Sequence, residues 1–304
     1  MRKPLEKVKP DLVLIGDLHI GDLHPECRSD NYREALARKL TWIQEQWPDV
    51  PKVTAGDVFD HWKQSPEMIT FAIRYLPRPI VSVRGQHDLP NHSMELADKS
   101  AYETLLEAGT IAGEPEFMSL PGTYQMAGFN WGEVMPPSPI VPTLVARCIA
   151  VIHVTVWEVP LVPGQAPGQA TQYLKAHTGW DLILTGDNHQ TFVVRDGSRL
   201  LVNPGSLMRM RADQMDHRPS VFLYYANDNR VEQVFVPIAD GVISREHIEV
   251  QKQHEQRVSS FIARLERGDM EVGMSFIDNM TEYLRVNSAT IEPGVRDFVL
   301  KCME

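Results

Sequence analysis

Cysteine is scarce in this chain. Cys27, Cys148 and Cys302 are the only three in 304 residues, and they lie far apart with no CxxC pair. That excludes a disulfide framework and a zinc knuckle, and it fits a reducing compartment. Long apolar runs are missing as well. Near the N-terminus, Leu12 to Ile15 is apolar, but Asp17 interrupts at once, too early for a signal-peptide core. No stretch approaches the ~18 apolar residues of a membrane span. The expectation is a cytoplasmic protein. Positive charge is also short. The formal net charge is −10, and an acidic chain repels nucleic acid unless its cations are local. Internal repeats and low-complexity tracts are absent.

What remains is ordinary in bulk. Hydrophobic residues make up 43% and charged residues 23%, as in globular proteins, and the length suits one large domain or two unequal ones. Short apolar runs at Asp11–Ile15, Val53–Ala55, Ile80–Val83, Cys148–Val151 and Asp181–Leu184 read as buried strands. Asn31–Gln46, Pro66–Leu76 and Ser93–Ala108 read as helices between the first of them. This βαβαβα order predicts a layered α/β sheet. Four more strands, Thr191–Arg195, Leu200–Val202, Val221–Ala226 and Val231–Val236, pair around turn signals at Asp196-Gly197 and Asn227–Asn229. Pro160–Gln169 is a Pro/Gly loop. From about Ser244 apolar residues recur at helical spacing: Val258, Phe261, Ile262 and Leu265; then Phe276, Ile277, Met280, Tyr283 and Leu284; then Val295, Phe298 and Val299. We read an α/β domain over 1–240 and a helical C-terminal region over 241–304.

The segment KVTAGDVFDH, Lys52 to His61, organises the rest. An apolar run reaches Gly56, the chain turns, and Asp57 follows where a strand opens into a loop. The same grammar recurs. Asp17 and His19 follow the first strand, Gln86 and His87 the third, His153 the fourth, and Asp187 and His189 the fifth. These are metal-ligand residue types at the same end of five strands. Each has a plainer role open to it: His153 suits a core histidine, and Asp60 and Asp88 suit turns or caps. The recurrence favours a shared centre.

The five blocks, GDLH, GDVFD, GQHD, VIHV and GDNH, resemble the calcineurin-like metallophosphoesterase superfamily, whose pattern is DxH, GDxxD, GNHD, a lone His, and GHxH. The resemblance covers about Asp11 to His189. The NPGSLMR run after the last block looks like the continuation in the Mre11/SbcD-like DNA-repair nuclease branch, and GQHD with GDNH resembles a phage-associated subgroup of it. Gln86 stands where the family usually has Asn, and Asp187 where it usually has His. His61 follows a position, Asp60, where nuclease-branch members often carry a phosphate-holding His.

The resemblance implies a layered metallophosphoesterase fold, with central β-sheets flanked by helices. It implies two divalent ions, one held by Asp17, His19, Asp57 and His189, the other by Asp57, Gln86, His153 and Asp187. It also implies a hydroxide shared between the ions and His87 as general acid. An oxygen-rich donor set points to Mn²⁺, with Mg²⁺ the alternative. Arg84, Arg209 and Arg211 are candidates for drawing in the phosphodiester. The expected activity is DNA cleavage by an exonuclease. The tail is the expected contact for an SbcC/Rad50-like ATPase or for a homodimer. Two other readings stay open: a phosphodiesterase or phosphatase on small phosphoesters such as cyclic nucleotides, and a scaffold in which Gln86 and Asp187 have ended catalysis.

Overall fold

The computed structural model describes residues 8–115, 124–139, 146–244, 276–288 and 290–303. It divides into two compact units, Met1–Ser244 and Arg245–Glu304.

Among the described residues, the first unit holds ten strands. β1 (Leu12–Ile15), β2 (Lys52–Thr54) and β3 (Ile80–Ser82) are parallel neighbours, and β9 (Ser220–Tyr225) and β10 (Arg230–Phe235) extend that sheet antiparallel beyond β1. The second sheet has the order β4-β5-β6-β8-β7, from β4 (Tyr124–Phe129), β5 (Arg147–Ile152), β6 (Leu182–Thr185), β7 (Phe192–Asp196) and β8 (Arg199–Asn203). All its pairings are parallel except β7 with β8.

Strand alternation explains the packing. In β1, Leu12 and Leu14 join Val53, Val81, Ile149, Val151, Leu182, Leu184 and Val202 in one buried cluster, so the two sheets meet face to face. Val13 and Ile15 point the other way, into a cluster with Leu36, Leu40 and Ile43 of α1 (Tyr32–Gln46), Met68 and Ala72 of α2 (Pro66–Tyr75), and Tyr102 and Leu105 of α3 (Ala101–Glu107). On the far side, Ala150, Ile152, Ile183 and Leu201 pack on Ala170 and Leu174 of α4 (Gln169–Ala176). The architecture is mixed α/β, two multi-strand sheets flanked by helices, as the metallophosphoesterase fold requires. Because both faces of β1 are buried, truncating a side chain such as Leu14 to Ala costs about 2–5 kcal/mol.

Local signals account for most boundaries. Asn31 caps α1 by accepting from Glu34 N at 3.2 Å, and Ser65 caps α2 by accepting from Met68 N at 3.2 Å with Pro66 behind it. Ser93–Ala108 is a correction: it is not one helix. 3₁₀ turns run over Pro90–His92 and Met94–Lys99, and α3 starts only at Ala101. Ser100 restarts the chain by capping Glu103 N at 3.1 Å. The helix α4 has no counterpart among the elements expected from the sequence.

In the second unit, α5 (Phe276–Val286) and α6 (Pro293–Met303) fall on two of the three apolar periodicities. The third, Val258 to Leu265, lies outside the described residues. Among the described residues, no helix is long and apolar enough to cross a membrane.

Candidate metal centre

Each candidate donor leaves the C-terminal end of a parallel strand. β1 runs into Asp17 and His19, β2 into Asp57, β3 into Gln86 and His87, β5 into His153, and β6 into Asp187 and His189. The turns that carry them are tight. Gly56 has φ 105°, and a Cβ there would sit 2.5 Å from His153 Nδ1. A Cβ on Gly85 would collide with the Asp57 carboxylate. Three of the donors are themselves in the left-handed region: His19 at φ 45°, Asp57 at φ 49° and Asp187 at φ 69°. Such strain persists only where surroundings over-determine it, and it clusters at functional sites.

The side chains converge. Ligand-capable atoms of Asp17, His19 and His189 lie within 4.8 Å of one another, as do those of Asp57, His153 and Asp187, and those of His19, Asp57 and His87. Asp57 Oδ2 is 3.8 Å from His19 Nε2, 3.4 Å from His153 Nε2 and 4.0 Å from His87 Nε2. His153 Nε2 is 3.9 Å from Asp187 Oδ1, and His189 Nε2 is 3.7 Å from Asp17 Oδ2. His19 and His189 face each other through their Nε2 atoms at 2.9 Å. Asp57 and His19 each belong to two of these groups, and Asp57 links the group holding His19 to the one holding His153 and Asp187.

The supporting contacts fix orientation. His153 Nδ1 bonds the carbonyl of Ala55, which leaves Nε2 facing the carboxylates. Gln86 Nε2 donates to Asp187 Oδ1, and Thr155 Oγ1 donates to Asp187 Oδ2. Asp187 N donates to Asp17 Oδ2 at 3.0 Å, and His87 N to Asp57 Oδ1 at 3.1 Å. Asp88 is a structural brace: its buried carboxylate accepts from Val58 N, Phe59 N and Gly85 N, tying two donor-bearing loops together.

The donor set fits divalent cations on a direct observation. Asp17 Oδ1, Gln86 Oε1 and His153 Nε2 are buried and have no hydrogen-bond partner. Buried polar atoms are rarely left so. Cations held among these three carboxylates, the amide oxygen and three imidazoles would satisfy the orphaned atoms.

Electrostatics agree. Burial drives the Asp17 carboxyl well above its usual range. Burial also presses the His19 imidazole down to about 3 and lowers His189. Burial acts to raise Asp57, but His153 and His19 outweigh it and hold the carboxyl at about 2. Burial acts to lower His153, but the negative charge of Asp57, 3.4 Å from Nε2, outweighs it and lifts the imidazole to about 10. The Asp57 carboxylate thus favours the protonated form of His153 when no metal is bound.

The centre has a closed floor and an open mouth. Asp17, His19, Asp57 and His153 are buried, whereas the side chain of His87 is 42% exposed and that of His189 is 29% exposed. Beside the mouth lies a cleft of about 540 Å³ that includes Asp187, His189, Arg211, His217, Leu161 and Val162.

The structure separates the three arginines. Arg84 is buried and paired with Glu103 and Glu114, and Arg209 is buried and donates to the carbonyls of Met215 and Ala239. Both hold the fold. Arg211 is exposed and lines the cleft. His61 is exposed, with Nδ1 beside the Lys63 backbone, and is in none of the donor groups. Asp60 accepts from Gln64 Nε2 at 2.6 Å, as a turn residue does.

Comparison with known proteins gives one family match: residues 10–135 match the calcineurin-like phosphoesterases. This supports the superfamily resemblance and, with it, phosphoester hydrolysis. The match contains Asp17, His19, Asp57, Gln86 and His87; His153, Asp187 and His189 lie beyond it. No curated protein matches the chain. Among solved structures, the protein TT1561 of Thermus thermophilus is 14% identical with a TM-score of 0.45, over 76% of this chain and 100% of that one. A putative 5′-nucleotidase from Staphylococcus aureus is 14% identical at a TM-score of 0.46, over 81% of this chain and 58% of that one. The phosphopantetheinyl hydrolase of Mycobacterium tuberculosis is 15% identical at 0.44, over 74% and 96%.

Proposed function

We propose that this chain is a dinuclear metal-dependent phosphodiester hydrolase that acts on DNA as an exonuclease. The observation that carries the hydrolase reading is the convergence of seven donor residues, Asp17, His19, Asp57, Gln86, His153, Asp187 and His189, with three of their buried atoms unpartnered. Asp17, His19, Asp57 and His189 would hold one ion. Asp57, Gln86, His153 and Asp187 would hold the other, with Asp57 shared. Divalent ions bound there would acidify water and offset charge on the phosphoryl oxygens. Mn²⁺ is the proposed metal, because carboxylate and amide oxygens outnumber imidazoles in the set.

The protein's own groups do the rest. Ala55 and Asp57 fix the ring of His153, and Gln86 and Thr155 fix the Asp187 carboxylate. His87 stands at the exposed mouth, its backbone anchored to Asp57. There it can give its Nε2 proton to a departing alkoxide, a contribution of ~10²–10⁴-fold. Arg211, ion-paired with Asp213 at 3.3 Å, stands on the cleft wall, and Leu161 and Val162 add apolar surface to the lining. The NPGSLMR segment, whose sequence resembles the nuclease branch, braces the Asp17 loop: Ser206 bridges to Asp17, and Leu207 N donates to Asp17 O at 2.9 Å.

A second reading has its own observation. The net charge of −10 suits a small phosphoester better than a polyanion. The experiment is cleavage of end-labelled DNA with Mn²⁺, Mg²⁺ or Zn²⁺, with Asp57→Ala as control. Progressive shortening with Mn²⁺ that Asp57→Ala abolishes is the expected result. Turnover of bis-p-nitrophenyl phosphate with intact DNA would shift the assignment to small phosphoesters. Two bound ions with no turnover on either would leave a scaffold.

A further inference from the structure

A second cavity lies away from the donor cluster. It has a volume of about 360 Å³, and its wall includes Arg28, Asp30, Arg38, Lys39, Trp42 and Arg209. That is four cationic side chains against a single carboxylate, in a chain whose net charge is −10. None of the four belongs to the proposed reaction.

The cations are unusual for their burial. Arg28, Lys39 and Arg209 are each less than a tenth exposed. Arg28 is neutralised, because Asp30 takes it bidentately at 2.9 and 2.7 Å. The other two are not. Arg209 donates to the neutral carbonyls of Met215 and Ala239. Lys39 donates to the carbonyl of Leu207 at 2.7 Å, and among the described residues that is the one acceptor its ammonium has. An ammonium carries three donors. Burying a charge without a counter-charge is costly, and two uncompensated cations beside a cavity compound the cost. Burial, with Arg28 and Arg209 nearby, pulls the Lys39 ammonium down to about 7. Arg38 stands on the exposed side, and its ion pair with Glu34 at 3.7 Å is itself in solvent.

We propose that this pocket binds a phosphate-bearing anion. An oxyanion there would accept from Lys39 and Arg38 and supply the counter-charge that the wall lacks. The volume lies within the range of small-ligand sites, and Trp42 offers a flat surface for an organic group attached to the phosphate. The pocket also touches the loop that supports the donor cluster. Leu207 takes Lys39 on its carbonyl and gives its N–H to the Asp17 carbonyl, while Arg28 holds the carbonyl of Arg209 at 2.9 Å. The proposal does not depend on the hydrolase reading.

The test uses the full chain stripped of metal, so that phosphate has no ion to bind. Isothermal titration is run with inorganic phosphate in one arm and a nucleoside 5′-monophosphate in the other, each against chloride at equal ionic strength. Saturable one-to-one binding is expected, unchanged in Asp57→Ala, weakened at least ~tenfold by Lys39→Met, and weakened several-fold by Arg38→Glu. Tighter nucleotide than phosphate would assign the source to nucleotides; equal affinity would assign it to free phosphate. Arg38 is exposed, so its variant folds and decides the matter if Lys39→Met does not. Absence of saturable binding in both arms overturns the proposal. So does wild-type affinity in Arg38→Glu, or loss of binding in Asp57→Ala, which would place the phosphate at the donor cluster.

Discussion

Gln86 donates through its Nε2 to Oδ1 of Asp187, and its Oε1 is left buried and unpartnered. These are the two positions where the chain departs from the superfamily pattern, and they touch. The longer amide reaches the carboxylate with one end and offers its oxygen to the cavity with the other. A carboxylate in place of imidazole gives that amide an acceptor. The two changes act as one unit.

Gln86→Ala and Asp187→Ala are therefore expected to be non-additive. In Mn²⁺ titrations of the two singles and the double, the coupling should fall at about 0.5–3 kcal/mol. Gln86→Asn/Asp187→His, which restores the family pattern, should bind metal better than either of its singles. Strict additivity would show that the contact has no bearing on the ions.

His87 should separate binding from turnover. His87→Asn is expected to keep the metal content of wild type and to lose ~10²–10⁴-fold in kcat. Metal analysis beside kinetics checks this. Loss of an ion in the variant would make His87 a ligand, as its grouping with His19 and Asp57 also permits.

Metal should stabilise the fold strongly. Asp17, Asp57 and Asp187 crowd one pocket, and any cation there binds the folded chain alone. At a hundred times its dissociation constant, an ion adds about 2.7 kcal/mol, which a thermal melt resolves. Wild type should melt higher with Mn²⁺ than with chelator, whereas Asp57→Ala should show little difference. An equal rise in both would mean that the ion binds elsewhere.

Lys39 sets the sign of one pH effect. Its folded value is near 7, below the 10.5 of an ordinary lysine. Between those values the unfolded chain holds the proton and the folded chain does not. Stability should therefore rise with pH across that window, by at most about 1.4 kcal/mol per unit, while below about 7 the cost of burying the charge is fully present. Urea unfolding in anion-poor buffer at several pH values checks it. The slope should flatten in Lys39→Met.

The strands were legible because parallel strands buried on both faces read as unbroken apolar runs, such as LVLI and LILT. The donors were legible because each follows such a run at a turn. Other features had no local signal. The helix expected over Ser93–Ala108 fails because Ser100 caps a new start, and α4 follows a left-handed Gly168 at the end of a Pro/Gly stretch. Arg84 and Arg211 look alike in sequence, and only the fold shows that Glu103 and Glu114 claim the first. The bond between Gln86 and Asp187 joins residues 101 positions apart, beyond the reach of any periodicity.

The two sheets share one apolar interior, and the donors come from both. A cation at that rim would be a reversible crosslink between β1–β3 and β5–β6. Amide exchange should then slow at Gly56 and Gly186 when metal is added, while β10, on the outer margin of its sheet, exchanges as before.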